Sequence, residues 1–108
     1  MKKIKTFNEY DEFMKSFGYS NKIQPIVFPV IGLTEEAGEC SGKVKKWLRG
    51  DGKLDKLALI KEIGDVLYYA TRLSHDLGYS LEEVANIHIE KLNDRKKRGT
   101  LRGNGDNR

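Results

Sequence analysis

The amino-acid sequence predicts an all-α protein, a bundle-like arrangement of four helices followed by a basic C-terminal tail. Apolar residues recur at intervals of three and four in four segments, which is the spacing of one helix face. Residues that favour helix starts and stops border these segments, and no segment shows the alternation of a half-buried strand. The chain has 108 residues, enough for one domain. We place this domain at residues 1–98 and the tail at 99–108.

The first predicted helix covers residues 6–17. Thr6 and Glu9 have the spacing of a capping box, and Gly18 ends the helix. The largely aromatic stripe of this helix consists of Phe7, Tyr10, Phe13, Met14 and Phe17. Such a stripe is typical of a surface that faces the core. The alternative interpretation is that one or two of its rings line a pocket for a flat ligand.

The second predicted helix begins at Pro25 or at Pro29, because proline is tolerated in the first turn, and it ends at Arg49 before Gly50. Its stripe consists of Val30, Leu33, Ala37, Cys40, Val44, Trp47 and Leu48. Trp47 continues this stripe. That position favours a place in the core or a subunit interface over stacking on a nucleobase.

Two further helices follow a polar connection at residues 50–54. Asp55 is the expected N-cap of the third helix, which runs to about residue 77, where Gly78 stops it. Ser80 and Glu83 form a second capping-box pattern, which opens a fourth helix from residue 81 to about residue 97. The tail has a single apolar residue, so we expect it to be disordered unless a ligand or partner orders it.

Composition and charge narrow the class of protein. The formal net charge is +4, and basic residues concentrate at the C-terminal end, which indicates an anionic partner. The single cysteine gives no disulfide framework and fits a reducing compartment. The first residues lack the apolar run of a signal peptide, and no apolar stretch is long enough to span a membrane. We therefore expect a cytoplasmic protein without a membrane partner.

Two carboxylate clusters stand out within the second and third predicted helices. The first contains Glu35, Glu36 and Glu39, and the second contains Glu62 and Asp65. Residues three or four apart lie on one helix face, so both clusters border the apolar stripes. If the two helices pack antiparallel, the carboxylates converge between them and repel one another unless a cation is present. An all-oxygen ligand set favours Mg²⁺, with Mn²⁺ as a substitute. The alternative is a solvated acidic face.

An acidic metal site followed by a basic segment is typical of a nucleoside triphosphate site, in which metal ions and lysine or arginine side chains contact the phosphates. Two other classes remain open at this point. One is a non-enzymatic nucleic-acid-binding protein that uses the basic C-terminal segment, although the carboxylates would then be unexplained. The other is a small helical interaction module whose acidic cluster faces solvent.

The chain resembles the MazG-like nucleotide pyrophosphohydrolases of the all-α NTP pyrophosphatase superfamily. The resemblance spans about residues 30 to 108 and is greatest for short, phage-type members. It is carried by Glu35-Glu36-x-x-Glu39 with Glu62-x-x-Asp65, by Gly42-Lys43-Val44-Lys45-Lys46, by residues 91–99, and by Gly103-x-Gly105-Asp106-x-Arg108. It implies Mg²⁺-dependent hydrolysis of a (d)NTP to the monophosphate and pyrophosphate, by metal-activated water attack on the α-phosphate. Analogy suggests dGTP or GTP as substrate.

The resemblance also implies roles for individual residues. The implied metal ligands are Glu36, Glu39, Glu62 and Asp65, and Glu35 joins these four as a further catalytic carboxylate. The implied substrate contacts are Lys43, Tyr69, Lys91, Asn93, Arg95 and Arg98. Members of the family assemble as dimers or tetramers, so a homodimer or homotetramer is expected. A nucleic-acid partner is not.

Overall fold

The structure, a computed structural model, describes residues 3–18 and 24–106. These residues form four helices, α1 (Phe7–Phe17), α2 (Val27–Leu48), α3 (Lys56–Asp76) and α4 (Leu81–Arg98), and no strand. The all-α prediction is confirmed, and the predicted helix ends agree within about two residues. Most of the turn expected between the first two helices falls outside the described residues. No helix in the described ranges is long and apolar enough to cross a membrane.

The sequence signals for helix starts largely correspond to real caps. Ser80 and Glu83 form the reciprocal capping box predicted for α4, and the Asp55 carboxylate accepts a hydrogen bond from the Ala58 N–H at 3.0 Å. The α1 cap is only half of the predicted box. The Thr6 hydroxyl accepts from the Glu9 N–H, but the Glu9 carboxylate accepts from the N–H of Lys5, one residue too early.

Helix α2 begins after a strained residue. It starts at Val27, between the two predicted starts, so Pro29 lies in its first turn and Pro25 precedes it. Between them, Ile26 has a φ of 66° and a ψ of −62°, a conformation that is costly for a β-branched residue. The Ile26 N–H donates to Asp76 Oδ2 at 3.0 Å, so the end of α3 helps to hold this turn in place.

Helices α2 and α3 form an antiparallel hairpin, which is the most extensive helix pair of the protein. Phe28 lies beside Tyr69 near one end of the hairpin, and Lys43 lies beside Glu62 towards the other. Gly32 permits this close packing, because a Cβ at that position would overlap the Tyr69 ring. The register of the hairpin therefore depends on a glycine facing a tyrosine.

Helix α1 packs against α3 and α4 through a buried carboxylate. Asp11 is only 2% exposed. Its Oδ1 lies 2.7 Å from His75 Nε2 in α3, and its Oδ2 accepts from the Leu81 N–H at 2.9 Å, at the start of α4. One side chain thus ties three helices together, beside the buried apolar residues Met14 and Leu81.

A single chain leaves much apolar surface in contact with solvent. Within residues 3–18 and 24–106, the buried apolar side chains are Met14, Pro29 and Leu81, whereas Ile31, Leu48 and Ile60 are each more than half exposed. The radius of gyration is 16.7 Å, compared with about 13 Å for a compact chain of this length. The helices therefore do not close into a compact bundle by themselves.

We expect Asp11→Ala to destabilise the protein by about 3 kcal/mol, because it leaves buried donors of His75 and Leu81 without their acceptor. Urea unfolding followed by circular dichroism measures the effect. Glu12→Ala is the matched control, since Glu12 is exposed on the same helix. It should change the free energy of unfolding by less than about 0.5 kcal/mol. Equal effects of the two substitutions would contradict this account of Asp11.

Candidate metal centre

The structure brings three of the five predicted carboxylates together in the groove between α2 and α3. Glu36 comes from α2, and Glu62 and Asp65 come from α3. One oxygen of each lies within 4.8 Å of an oxygen of the other two. The antiparallel hairpin produces this convergence, because it sets the middle of α2 opposite the middle of α3. We call these three residues the carboxylate group.

The pKa of Glu36 reflects both partial removal from water and the negative charges around it. The pKa of Glu36 is raised above its ordinary value, first because the carboxylate is partly removed from water. The negative charges of Asp65, Glu35, Glu62 and Glu39 raise it further, in that order. The site therefore favours a bound positive charge, either a proton or a cation.

The donor set fits a hard divalent cation. All three groups offer carboxylate oxygens, with no sulfur or imidazole among them, and such ligands suit Mg²⁺ or Mn²⁺. Lys43 lies against the group, with its Nζ 3.7 Å from Glu62 Oε1, and offsets part of one carboxylate charge.

Glu35 and Glu39 stay outside the carboxylate group. Both are exposed on α2, within one turn of Glu36, and both charges act on the pKa of that residue. Helical spacing alone placed all three α2 carboxylates together, but only Glu36 projects far enough towards α3 to join Glu62 and Asp65.

A row of aromatic side chains begins next to the carboxylates. Tyr69 contacts both Phe28 and Tyr68 edge-on, with ring centroids 6.1 Å and 5.0 Å away, and Tyr68 contacts Phe17. The pKa of Tyr69 is raised by partial removal from water, by Tyr68, and by the charges of Glu36 and Glu35. The row therefore connects Phe17 of α1 with the aromatic side chains that lie beside the carboxylate group.

The model of the MazG nucleotide pyrophosphohydrolase domain matches residues 30–100 of the chain, a range that includes all five carboxylates. The chain belongs to the MazG family. It is also similar to the Gene 37 protein of Mycobacterium phage L5, with 39% identity over 95 residues, which cover 84% of this chain and 83% of that protein. No solved structure is significantly similar to it.

Membership in the MazG family implies nucleotide pyrophosphohydrolase activity and, in general, dependence on a divalent metal. The matched range contains α3 and most of α2, the two helices that form the carboxylate group. The match begins at Val30 and leaves out α1, so Asp11 and Phe17 lie outside the matched range, although Asp11 contacts His75 and Leu81 inside it.

Two of the three basic residues of α4 that the family resemblance selected, Lys91 and Arg95, contact the tail. Lys91 Nζ donates to Asp106 Oδ1 at 3.1 Å, and Arg95 donates both to that carboxylate and to the carbonyl oxygens of Gly105 and Asp106. These hydrogen bonds lower the pKa of Asp106. The tail was expected to need a partner or ligand for order, but its own aspartate ties it to α4.

The structure does not bring the α4 cations to the carboxylate group. Among the described residues, neither Lys91 nor Arg95 forms an ion pair with Glu36, Glu62 or Asp65, and α2 does not pack against α4. Arg95 is 5% exposed and Asn93 is exposed, while Arg98 pairs with Asp94 at 2.6 Å.

Sequence reasoning missed the two buried polar side chains that hold the helices in place. Asp11 lies between Phe7 and Met14 at helical spacing, so a carboxylate inside an apolar stripe was the available signal. Arg72 is 4% exposed, and its guanidinium lies 4.9 Å from the centre of the Phe28 ring. Its position four residues after Tyr68 gave no indication of this contact.

We expect Mg²⁺ or Mn²⁺ to raise the melting temperature, because a cation that binds only the folded state stabilises it. A hundredfold excess over the dissociation constant corresponds to about 2.7 kcal/mol. Thermal unfolding in EDTA and in each metal measures the shift. Asp65→Asn should reduce it strongly, whereas Glu90→Gln, on the exposed surface of α4, should retain it. An identical shift in both variants would mean that the cation binds elsewhere.

Proposed function

We propose that the protein hydrolyses nucleoside triphosphates, with a purine deoxynucleotide such as dGTP as the first candidate, to the monophosphate and pyrophosphate in a Mg²⁺-dependent reaction. The observation that carries this proposal is the convergence of Glu36, Glu62 and Asp65 in the groove of the α2–α3 hairpin, inside the MazG domain.

Each carboxylate has a place in this proposal. Glu36, Glu62 and Asp65 would hold the cation, and Glu39, one helical turn after Glu36 on α2, is the proposed fourth ligand. When bound, Mg²⁺ neutralises these carboxylates, polarises phosphate oxygens and lowers the pKa of water.

In the proposed reaction, the oxygen of water forms a bond to the α-phosphorus. The bond to the oxygen that bridges the α- and β-phosphates breaks, and pyrophosphate leaves with the electron pair. Glu35 is exposed next to the carboxylate group without being part of it, so it can accept the proton of the attacking water. Lys43 beside Glu62 can offset the charge that develops on the leaving group.

The alternative, a non-enzymatic nucleic-acid-binding protein, has less support. It needs the basic C-terminal segment to face an external phosphate backbone. In the structure, however, Lys91 and Arg95 are engaged by Asp106, and Arg98 is engaged by Asp94. The tail also covers part of the basic face of α4.

We expect wild-type protein to release pyrophosphate from at least one member of a panel of NTPs and dNTPs in the presence of Mg²⁺. Glu36→Gln and Asp65→Asn should each lower kcat/KM about a hundredfold or more, because each removes one charged ligand of the cation. Coupled detection of pyrophosphate measures the rates, and the panel identifies the base and sugar.

The matched control for these variants is again Glu90→Gln, which changes the net charge equally at an exposed site on α4. Its activity should equal that of wild type. Absence of turnover for every nucleotide with either metal would refute the proposed function, provided that circular dichroism shows a folded protein.

We also propose that the protein functions as a homo-oligomer, either a dimer or a tetramer. An apolar groove of about 610 Å³ on the α2–α3 hairpin is lined by Cys40, Val44, Leu48, Leu59 and Ile63. Leu48 is 74% exposed there. A second copy of the hairpin would cover this surface, since large exposed apolar patches usually mark interfaces.

We expect light scattering after size exclusion to give a mass of two or four chains for the wild type. Leu48→Glu should shift the protein towards the mass of one chain, because it places a charge in the apolar groove. Ile4→Glu introduces the same charge at an exposed apolar site near the N-terminus and should leave the mass unchanged. A monomeric wild type at micromolar concentration would contradict the proposed assembly.

A further inference from the structure

A second cleft lies where α2 ends and α3 begins, and its chemistry is opposite to that of the carboxylate group. It has a volume of about 250 Å³ and is lined by Lys43, Lys46, Lys53 and Trp47, together with Asp51 and Asp55. We call it the lysine cleft. Neither the sequence pattern nor the family resemblance assigned a role to Lys46 or Lys53.

The acidic residues of the lysine cleft are already engaged. Asp51 forms an ion pair with Arg49, and Asp55 accepts a hydrogen bond from the Ala58 N–H as the N-cap of α3. In contrast, Lys46 and Lys53 form no ion pair within residues 3–18 and 24–106. Lys46 and Lys53 outnumber Asp55, whose charge the Ala58 N–H does not neutralise, so the cleft has a net positive charge, which suits an anionic ligand.

The lysine cleft is continuous with the carboxylate group through Lys43. This residue lines the cleft, and its Nζ lies 3.7 Å from Glu62 Oε1. Lys46 follows three positions later on α2, so the two side chains are neighbours on the helix surface. An anion held at the carboxylate group through a cation could therefore extend directly into the cleft.

Three kinds of surface follow one another along the hairpin. Phe28 and Tyr69 lie near one end, the carboxylate group lies in the middle, and the lysine cleft lies at the other end. From Phe28 to Glu36 is about 12 Å along the α2 axis, and from Glu36 to Lys46 is about 15 Å. A nucleoside triphosphate presents the same order, with an aromatic base, an α-phosphate and then a strongly anionic terminus.

We propose that the lysine cleft binds the β- and γ-phosphates of the substrate, with Lys46 and Lys53 as direct contacts. This inference rests on the proposed function and fixes the direction of the nucleotide along the hairpin. The two terminal phosphates become the leaving pyrophosphate, so lysines at this place stabilise the charge that develops as the bond to the α-phosphate breaks. The same contacts make the cleft a binding site for the pyrophosphate product.

The test compares wild type with the double variant Lys46→Gln/Lys53→Gln. The matched control is Lys61→Gln/Lys96→Gln, which removes the same charge at exposed positions outside the cleft. The measurements are KM and kcat for the best triphosphate of the panel, and the inhibition constants of pyrophosphate and of the corresponding monophosphate. Thermal unfolding confirms that each variant folds.

We expect the double variant to raise the inhibition constant of pyrophosphate and to lower kcat/KM about tenfold or more, since each lost charged contact typically weakens binding several-fold. The inhibition constant of the monophosphate should change less than twofold, because the base and α-phosphate bind elsewhere. Equal weakening of both inhibitors, or weakening of the monophosphate alone, would overturn the assignment. If the wild type is active and the double variant has the same kinetic and inhibition constants, the assignment of the lysine cleft is also overturned. The proposed function itself would then still stand.

An inactive wild type would refute the proposed function but not yet the cleft. Isothermal titration of pyrophosphate with Mg²⁺ then decides the second question. Binding that the double variant loses and the control retains would support the lysine cleft as a pyrophosphate site. Absence of binding to wild type, or equal binding to both variants, would refute it.

Discussion

The close antiparallel contact between α2 and α3 is the constraint on which the rest of the structure depends. Gly32 leaves room for the Tyr69 ring, and this fit sets the register of one helix against the other. In that register, Glu36 faces Glu62 and Asp65, and Lys43 faces Glu62. The close approach of Gly32 and Tyr69 is therefore part of the packing that brings these charges together.

The charges of the hairpin are arranged in sequence along its length. In the middle, partial removal from water and the neighbouring carboxylates together raise the pKa of Glu36, while the lysine cleft at the loop end has a basic lining. Repulsion among the carboxylates opposes folding unless a positive charge is bound there. A cation bound to a polyphosphate would offset the charges of both sites at once, which is consistent with a binding function.

The stability of one chain comes from elsewhere. Asp11 joins α1 to α3 and α4, and Arg95 holds the tail on α4. Both are buried charged residues that are stabilising only while their partners remain in place. The apolar stripes of α2 and α3 stay partly exposed, so covering them by a second copy would supply much of the hydrophobic burial that one chain lacks.

The sequence by itself determined the four helices, most of their caps and the two carboxylate clusters, because helical spacing and capping act within a few residues of the chain. The tertiary structure decided which carboxylates meet, since Glu39 is left out of a group that spacing alone would include. It also decided that Arg95 binds the tail and that Lys46 and Lys53 share a cleft. These outcomes depend on helix register and on the paths of the loop and tail, which join residues far apart in the chain.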